Sequence, residues 1–148
     1  MNSAFLHTHS GLRWIVLILA VAATFKYIMG WLGNKEFNSS DNKLGLFYMI
    51  SMDVQLLVGL IMYCFISPIT SGFHIDMSDT VSRFWGVEHI SMMVLAVAFV
   101  HVGRTLTKKG TDSSSKFRRG GLMYLISLLF ILAAIPWPWR ELIGRPWF

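Results

Sequence analysis

Cysteine and charged residues are both scarce in this sequence. Cys64 is the only cysteine, so no internal disulfide can form, and a lone thiol among apolar neighbours usually packs as a small hydrophobic side chain. Charged residues make up 14% of the chain, whereas soluble domains carry about 25%. These charges are too few to cover a soluble surface, and 54% of the residues are apolar. The composition therefore predicts an integral membrane protein.

The sequence also lacks the motifs of a self-sufficient enzyme. It contains no phosphate-binding glycine loop, no Cys-x-x-Cys-His segment for covalent haem and no evident Ser-His-Asp order. We therefore expect no independent catalytic activity. Any chemistry would come from a bound cofactor or from a partner subunit.

The apolar residues are concentrated in four blocks, at 12–32, 44–66, 84–103 and 121–137. Each block has the roughly 20 residues that an α-helix needs to cross the hydrocarbon core of a bilayer. None shows the alternation of a barrel strand. Since short loops join the blocks, we predict an all-α fold, an integral membrane antiparallel four-helix bundle that forms a single domain over residues 1–148.

The net charge of +5 is distributed unevenly between the two predicted faces. The loops 34–44 and 104–119 share one face and carry Lys35, Lys43, Arg104, Lys108, Lys109, Lys116, Arg118 and Arg119. The opposite face carries only Arg13, Arg83, Arg140 and Arg145. By the positive-inside rule the first face is cytoplasmic, which places both termini on the periplasmic side of the inner membrane. Anionic lipid headgroups account for the basic excess, so no nucleic-acid partner is required.

Ionisable side chains inside membrane spans are functional candidates because their burial is costly. His89 lies about one to two turns inside the third block, on a helical stripe with Gly86 and Ala96. Small residues beside a histidine leave room for a flat macrocycle or for a close neighbouring helix. Haem iron in membrane cytochromes is commonly held by histidines from two facing helices. His89 is therefore a candidate axial ligand.

His7 and His9 precede the first block and lie on the same predicted face as His89. Residues two apart on a helix differ by about 200° in direction, so only one of the pair faces a shared ligand. His9 is closer to the membrane and stands one turn before Arg13, whose guanidinium suits a haem propionate. We prefer His9 as the ligand, and His7 stays an alternative.

His101 follows His89 at a spacing that places the two side chains about 120° apart around a helix. The third span therefore does not present both histidines on one side, as binding of two haems along it would require. Asp53 in the second span lies at a similar depth to His101. A hydrogen-bonded pair of these residues would relieve the burial of both. The pair is either structural or part of a proton path or quinone pocket.

A metal site on the outer face is a further alternative. The residues on that face with nitrogen or carboxylate groups are His7, His9, His74, Asp76, Asp79, Glu88 and His89. Such ligands suit zinc, iron or copper. No compact spacing such as His-Glu-x-x-His fixes their geometry.

Three segments, "HTHSGLRW", "RFWGVEHISM" and "IPWPWR", resemble a family of small bacterial four-helix membrane proteins that are often labelled cytochrome b. The resemblance covers nearly the whole chain. It implies non-covalent haem b with histidine ligands, in a respiratory or quinone-linked electron-transfer setting. Only His7 or His9, together with His89, match that role. The dihaem cytochromes b place paired histidines along two helices, and this chain departs from that pattern.

These observations lead to one expected function and one rival of a different class. We expect a haem b-binding electron-transfer protein of the inner membrane, working with other membrane subunits of a respiratory assembly. The rival is a non-catalytic accessory subunit, whose spans pack against a larger membrane complex.

Overall fold

The computed structural model describes residues 3–145, and helices dominate this part of the chain. Four of them are long, and one is a single short turn. In chain order the helices are α1 (Ser3–Leu32), α2 (Ser39–Ile61), the short α3 (Thr80–Arg83), α4 (His89–Lys108) and α5 (Ser113–Ala134).

Two π-helical segments extend the long helices. The segment Met62–Ile66 continues α2, and the segment Phe84–Glu88 joins α3 to α4. A π turn contains one residue more than an α turn, so it shifts the direction of every side chain that follows. The third long helix therefore runs from Thr80 to Lys108 without being a regular α-helix throughout.

The prediction of an all-helical chain with four long apolar helices is confirmed. Four helices are long and apolar enough to cross a bilayer, and no strand occurs within residues 3–145. All four helices begin before the predicted blocks, and the third and fourth also end at different residues. The first helix begins at Ser3, ahead of Leu12. The last ends at Ala134, because Ile135 precedes Pro136 and a residue before proline disfavours helical backbone.

Short polar residues fix where α2 and α5 begin. The Asn38 side chain accepts from the backbone of Asp41, and the Asp41 carboxylate accepts from the backbone N–H of Asn38 at 2.9 Å. This reciprocal capping box satisfies N–H groups that have no partner inside the helix. At α5, the Asp112 carboxylate accepts from Ser115 N at 2.9 Å.

The four long helices pack around a core that contains three fully buried tyrosines, Tyr27, Tyr48 and Tyr124. α1 packs against α2 and α5, and α4 packs against the same two helices. The Ser127 hydroxyl donates to Ala96 O at 2.8 Å, so the Tyr48 hydroxyl must donate to Ser127 Oγ at 2.9 Å. This chain of bonds links α2, α5 and α4 at mid-bundle.

Gly45 allows α2 to approach the tyrosine cluster. A Cβ at this position would lie 2.6 Å from the Tyr124 hydroxyl and 2.7 Å from the Tyr27 hydroxyl. Such distances are below van der Waals contact, so only glycine fits without movement of the rings. Large apolar side chains such as Phe25 and Leu129 point outward instead, and are more than half exposed.

Different segments of the chain form the two ends of the bundle. One end, named here the His9 end, holds the start of α1, both π-helical segments, the 67–79 connection and the segment that follows α5. The other, the Asn38 end, holds the starts of α2 and α5. At the Asn38 end Lys26 Nζ lies 2.9 Å from the Asp41 carboxylate.

Candidate functional site

His89 is the first residue of α4, and the end of α5 holds its ring. Its Nδ1 lies 2.9 Å from the carbonyl oxygen of Ala134. Because a carbonyl oxygen can only accept, Nδ1 carries the hydrogen and donates it. In the neutral ring Nε2 then keeps a free lone pair, which is the form in which histidine binds a metal. The rings of Trp85 and Phe84 flank the imidazole, with centroids at 5.3 and 5.9 Å.

The carbonyl that holds His89 is available because of where α5 ends. The last four carbonyls of a helix have no partners within it. Here all four accept from groups beyond the helix or across the bundle, and Ile131 O accepts from Ile135 N at 3.0 Å. Leu132 O accepts from Trp137 Nε1, Ala133 O from Arg140 Nη1 and Ala134 O from His89.

His9 faces α2 and contacts the buried Gln55. The Gln55 Nε2 donates to the carbonyl oxygen of His9 at 3.0 Å and lies 3.5 Å from the ring Nε2. The other ring nitrogen, Nδ1, is buried and has no hydrogen-bond partner within residues 3–145. Gly59 lets α2 pass close by, since a Cβ there would lie 3.2 Å from His9 Cε1. His9 therefore offers a buried nitrogen whose bonding capacity is unused.

The rings of His9 and His89 meet between α1 and α4. Their centroids are 6.3 Å apart, and their planes make an angle of 71°. An imidazole nitrogen binds a transition metal at about 2 Å, so two histidines on opposite sides of one ion have centroids roughly 6 Å apart. The observed separation matches a shared metal ion, and it equally matches a direct edge-to-face contact of the rings.

Both histidines border a cavity of about 180 Å³ at the His9 end. Its wall is mostly apolar, with side chains from α1, α2, α4 and the segment after α5. Other polar side chains also line it, among them Gln55, Arg13 and Arg145. A mainly apolar pocket with a few convergent polar groups is the usual form of a small-molecule site.

Both π-helical segments contribute to the cavity wall. Met62 and Tyr63 come from the first segment, and Trp85 comes from the second. The Tyr63 hydroxyl donates to Gly86 O at 2.8 Å, so it joins the two segments. Isolated π turns frequently occur at functional sites. They redirect the side chains that follow without ending the helix.

The structure brings one of the two predicted N-terminal histidines to His89 and leaves the other on the surface. His7 is exposed, whereas His9 is the histidine of the pair that lies against His89. The space beside Gly86 is not open to a ligand or to a neighbouring helix. The Ile75 side chain occupies it, and a Cβ on Gly86 would lie 2.7 Å from Ile75 atoms.

The acidic residues of the 67–79 connection serve its local structure. The Asp76 carboxylate accepts from the Ser78 backbone at 2.8 Å, and Asp79 caps α3 by accepting from Ser82 N at 2.7 Å. The bonds from the Ser78 side chain and backbone lower the pKa of Asp76 below its ordinary value. Both carboxylates are therefore occupied by hydrogen bonds to neighbouring residues.

The remaining residues of the alternative metal site are also apart. Glu88 pairs with Arg83 Nε at 2.9 Å, and His74 is exposed. Within residues 3–145, no three His, Cys, Asp or Glu side chains converge as metal ligands would.

Asp53 and His101 lie outside the cavity and contact each other. His101 Nε2 is 2.8 Å from Asp53 Oδ1, across the boundary between α4 and α2. Both side chains are partly exposed on the outer surface of the bundle, at 48% for His101 and 43% for Asp53.

Sequence reasoning missed three parts of the site: the Ala134 carbonyl, Gln55 as the neighbour of His9, and Arg145 at the cavity wall. A signal for the first was present in the sequence, because Pro136 ends α5 and frees its last carbonyls. Gln55 was visible only as a polar residue within an apolar block. Nothing in the sequence indicated that the chain after α5 returns to the cavity.

Comparison with known proteins adds no relative, since no protein-family model, curated protein or solved structure matches this chain.

Proposed function

We propose that the chain is an integral membrane protein whose four long helices cross the bilayer as an antiparallel bundle. The outward-facing apolar side chains support this placement, since hydrocarbon is the solvent that suits them. Contacts between α1 and α2 support opposite directions. His9 meets Gln55 near one end of the pair, and Lys26 meets Asp41 near the other. The Asn38 end carries most of the Lys and Arg residues, so it is the cytoplasmic end of an inner-membrane protein.

At the periplasmic His9 end, the chain binds one haem b, and His9 and His89 are the residues that would hold its iron. The observation that carries this proposal is the meeting of two imidazoles from different helices, with centroids 6.3 Å apart, at the wall of an apolar cavity. When bound, such a group supplies reversible one-electron transfer. The protein accordingly works as an electron-transfer subunit of a respiratory assembly.

The side chains present fit such a group in their chemistry. His89 has the hydrogen bond from its non-ligating nitrogen to a backbone carbonyl that metal-bound histidines usually make. His9 has a buried nitrogen without a partner in the described residues. Arg13 and Arg145 border the cavity and offer guanidinium groups to two carboxylates.

The size of the cavity sets a condition on binding. At about 180 Å³ it is smaller than the roughly 300–1,000 Å³ of most small-molecule pockets. We therefore expect wall side chains to move when a macrocycle binds. Trp85 and the apolar wall would then keep water from the histidines.

An absorption spectrum tests the proposal. The protein is purified in detergent, supplied with haem b and reduced with dithionite, and we expect Soret and α bands. His9→Ala and His89→Ala should each abolish or strongly reduce them. His7→Ala is the matched control, because His7 is exposed and only two residues from His9.

Two results would contradict haem binding. The first is a wild-type protein without these bands after reconstitution, and the second is an unchanged spectrum in His89→Ala. Co-purification with a larger membrane complex that contains no pigment would instead favour the accessory-subunit role.

A further inference from the structure

A second pocket lies at the Asn38 end of the bundle, opposite the histidines. It is an open groove of about 340 Å³ between the end of α4 and the starts of α2 and α5. Lys108 of α4, Lys116 of α5 and Asn42 of α2 line it. Among the residues that the structure describes, none with a carboxylate belongs to its wall. The groove therefore presents two cations and no anion.

Lys116 is held at the groove rather than extended freely into solvent. It is half-buried, and its ammonium lies 5.6 Å from the centre of the Phe37 ring. Phe37 is itself fixed, because its backbone N–H donates to Ser113 Oγ at 2.9 Å and its ring packs 5.0 Å from that of Phe117. In the described part of the chain, neither Lys116 nor Lys108 forms an ion pair with a carboxylate.

Arg104 adds a third cation beside the groove. It is 5% exposed, and its Nη1 donates to Asn42 Oδ1 at 2.7 Å. Its Nε is buried and has no hydrogen-bond partner between residues 3 and 145, nor does a carboxylate there pair with the guanidinium. The buried acid at this end, Asp41, already pairs with Lys26 and accepts from Asn38 N. Because a buried charge is ordinarily compensated, Arg104 leaves this end with an excess of positive charge.

Asn42 turns that excess into hydrogen-bond donors at the groove. Its Oδ1 accepts from Arg104, so the Nδ2 group remains as a donor, and none of the described residues accepts from it. The groove thus combines an amide with two ammonium groups, contributed by three different helices. The starts of α2 and α5 also lie here, and helix starts favour negative charge.

We propose that the groove binds a phosphate group, carried by an anionic phospholipid or by a soluble phosphate compound. Phosphate oxygens accept from ammonium and amide groups, and they supply the anion that Arg104 lacks. In the proposed membrane placement the groove lies at the cytoplasmic headgroup layer, where basic pockets between helices bind lipid phosphates. The lipid source rests on that placement, whereas the phosphate chemistry does not, and neither depends on haem.

Native mass spectrometry of the full chain in detergent tests the proposal. The probes are phosphatidylglycerol and phosphatidylcholine, whose choline cation would lie beside the lysines. We expect one phosphatidylglycerol to stay bound at concentrations at which phosphatidylcholine does not. Lys108→Gln/Lys116→Gln should raise the dissociation constant at least about tenfold, since two charge-assisted hydrogen bonds are lost. Lys109→Gln/Arg119→Gln is the matched control, because it removes the same charge from exposed residues outside the groove. Its effect should be about twofold or less, as expected for screened surface charges.

Asn42→Asp tests the part played by the buried arginine. This variant gives Arg104 a carboxylate and places a negative charge at the groove, so it should abolish binding while the chain stays folded. Retained binding would contradict the roles of Asn42 and Arg104.

Inorganic phosphate distinguishes the two sources. If it raises the unfolding midpoint of the wild type and the control, but not of Lys108→Gln/Lys116→Gln, and no lipid is retained, the ligand is a soluble phosphate. Two results would overturn the proposal: a wild type that binds neither phosphatidylglycerol nor phosphate, or equal weakening in both double variants, which would indicate attraction to the basic face as a whole. Recovery in carbonate-washed membranes and the haem bands of each variant report separately on membrane placement and on the His9 site.

Discussion

The hydrogen bond between His89 Nδ1 and Ala134 O joins the start of α4 to the end of α5. It fixes the direction of the ring and leaves Nε2 as the nitrogen that is free to bind a ligand. The acceptor exists because Pro136 ends the helix, and Pro138 supplies no N–H that would compete for the same carbonyl. Two prolines in the sequence thus determine the ring orientation of a histidine on another helix, and which of its two nitrogens carries the hydrogen.

Replacing both prolines with alanine should break the hydrogen bond from His89 to Ala134 O. In Pro136→Ala/Pro138→Ala, α5 can continue, and the N–H of residue 138 can bind Ala134 O in place of the imidazole. We expect the dissociation constant for haem b to rise by about 10–100-fold, the usual effect of losing such a supporting bond. Haem titration followed by absorption measures it. Pro136→Ala alone is the control, because residue 138 still has no N–H. Equal affinities in the two variants would contradict the mechanism.

The sequence was sufficient for the coarse architecture because the length and apolarity of a block are local properties. Four blocks predicted four long helices, and these are present. The same reasoning selected His9 and His89, since both lie near the ends of helices that start on one face. Depth predicts only that the two residues lie at the same end of the molecule, where the centroids of their rings are 6.3 Å apart.

The details of the site depend on contacts between distant segments, and these were not predictable. The π turn at Phe84–Glu88 rotates His89 relative to a regular helix, and the Tyr63 bond to Gly86 accompanies it. The filling of the space beside Gly86 by Ile75 likewise requires the fold of the 67–79 connection. Periodicity alone places neither feature.

Gly45 should be intolerant of substitution, in contrast to Gly11. A Cβ on Gly45 would overlap two phenol groups that are fully buried and packed 4.9 Å apart. We expect Gly45→Ala to lower the free energy of unfolding by about 1–3 kcal/mol, as overpacking of a core does. A Cβ on Gly11 would meet no atom of a neighbouring residue within 4 Å, so Gly11→Ala should raise that free energy. The expected gain is about 0.5–1 kcal/mol, the usual difference between alanine and glycine inside a helix. Thermal unfolding in detergent compares them, and a destabilised Gly11→Ala with an unaffected Gly45→Ala would contradict the packing argument.

The bond between Tyr48 and Ser127 should show coupling in a double-mutant cycle. Ser127→Ala leaves a fully buried Tyr48 hydroxyl without its acceptor and should cost about 1–3 kcal/mol. Tyr48→Phe removes the stranded hydroxyl, so the double variant should be destabilised by less than the sum of the two single variants. Denaturant unfolding in micelles provides the four free energies. Strict additivity would show that the two groups do not interact.

Asp112 caps the start of α5, so the stability that this cap contributes should depend on pH. The hydrogen bond from Ser115 N is the main cause that lowers the pKa of this carboxyl below its ordinary 3.8. A depressed pKa in the folded state means that the charged cap stabilises the fold above pH 3.8, and that this effect is lost as the pH falls through the folded pKa. Asp112→Asn keeps a side-chain oxygen that caps the helix but removes the charge. We therefore expect its unfolding midpoint to lie below that of the wild type at neutral pH, and the gap to close under acid conditions. Thermal unfolding of both proteins across this pH range measures the gap. A difference that stays constant into acid would show that the charge of Asp112 does not contribute.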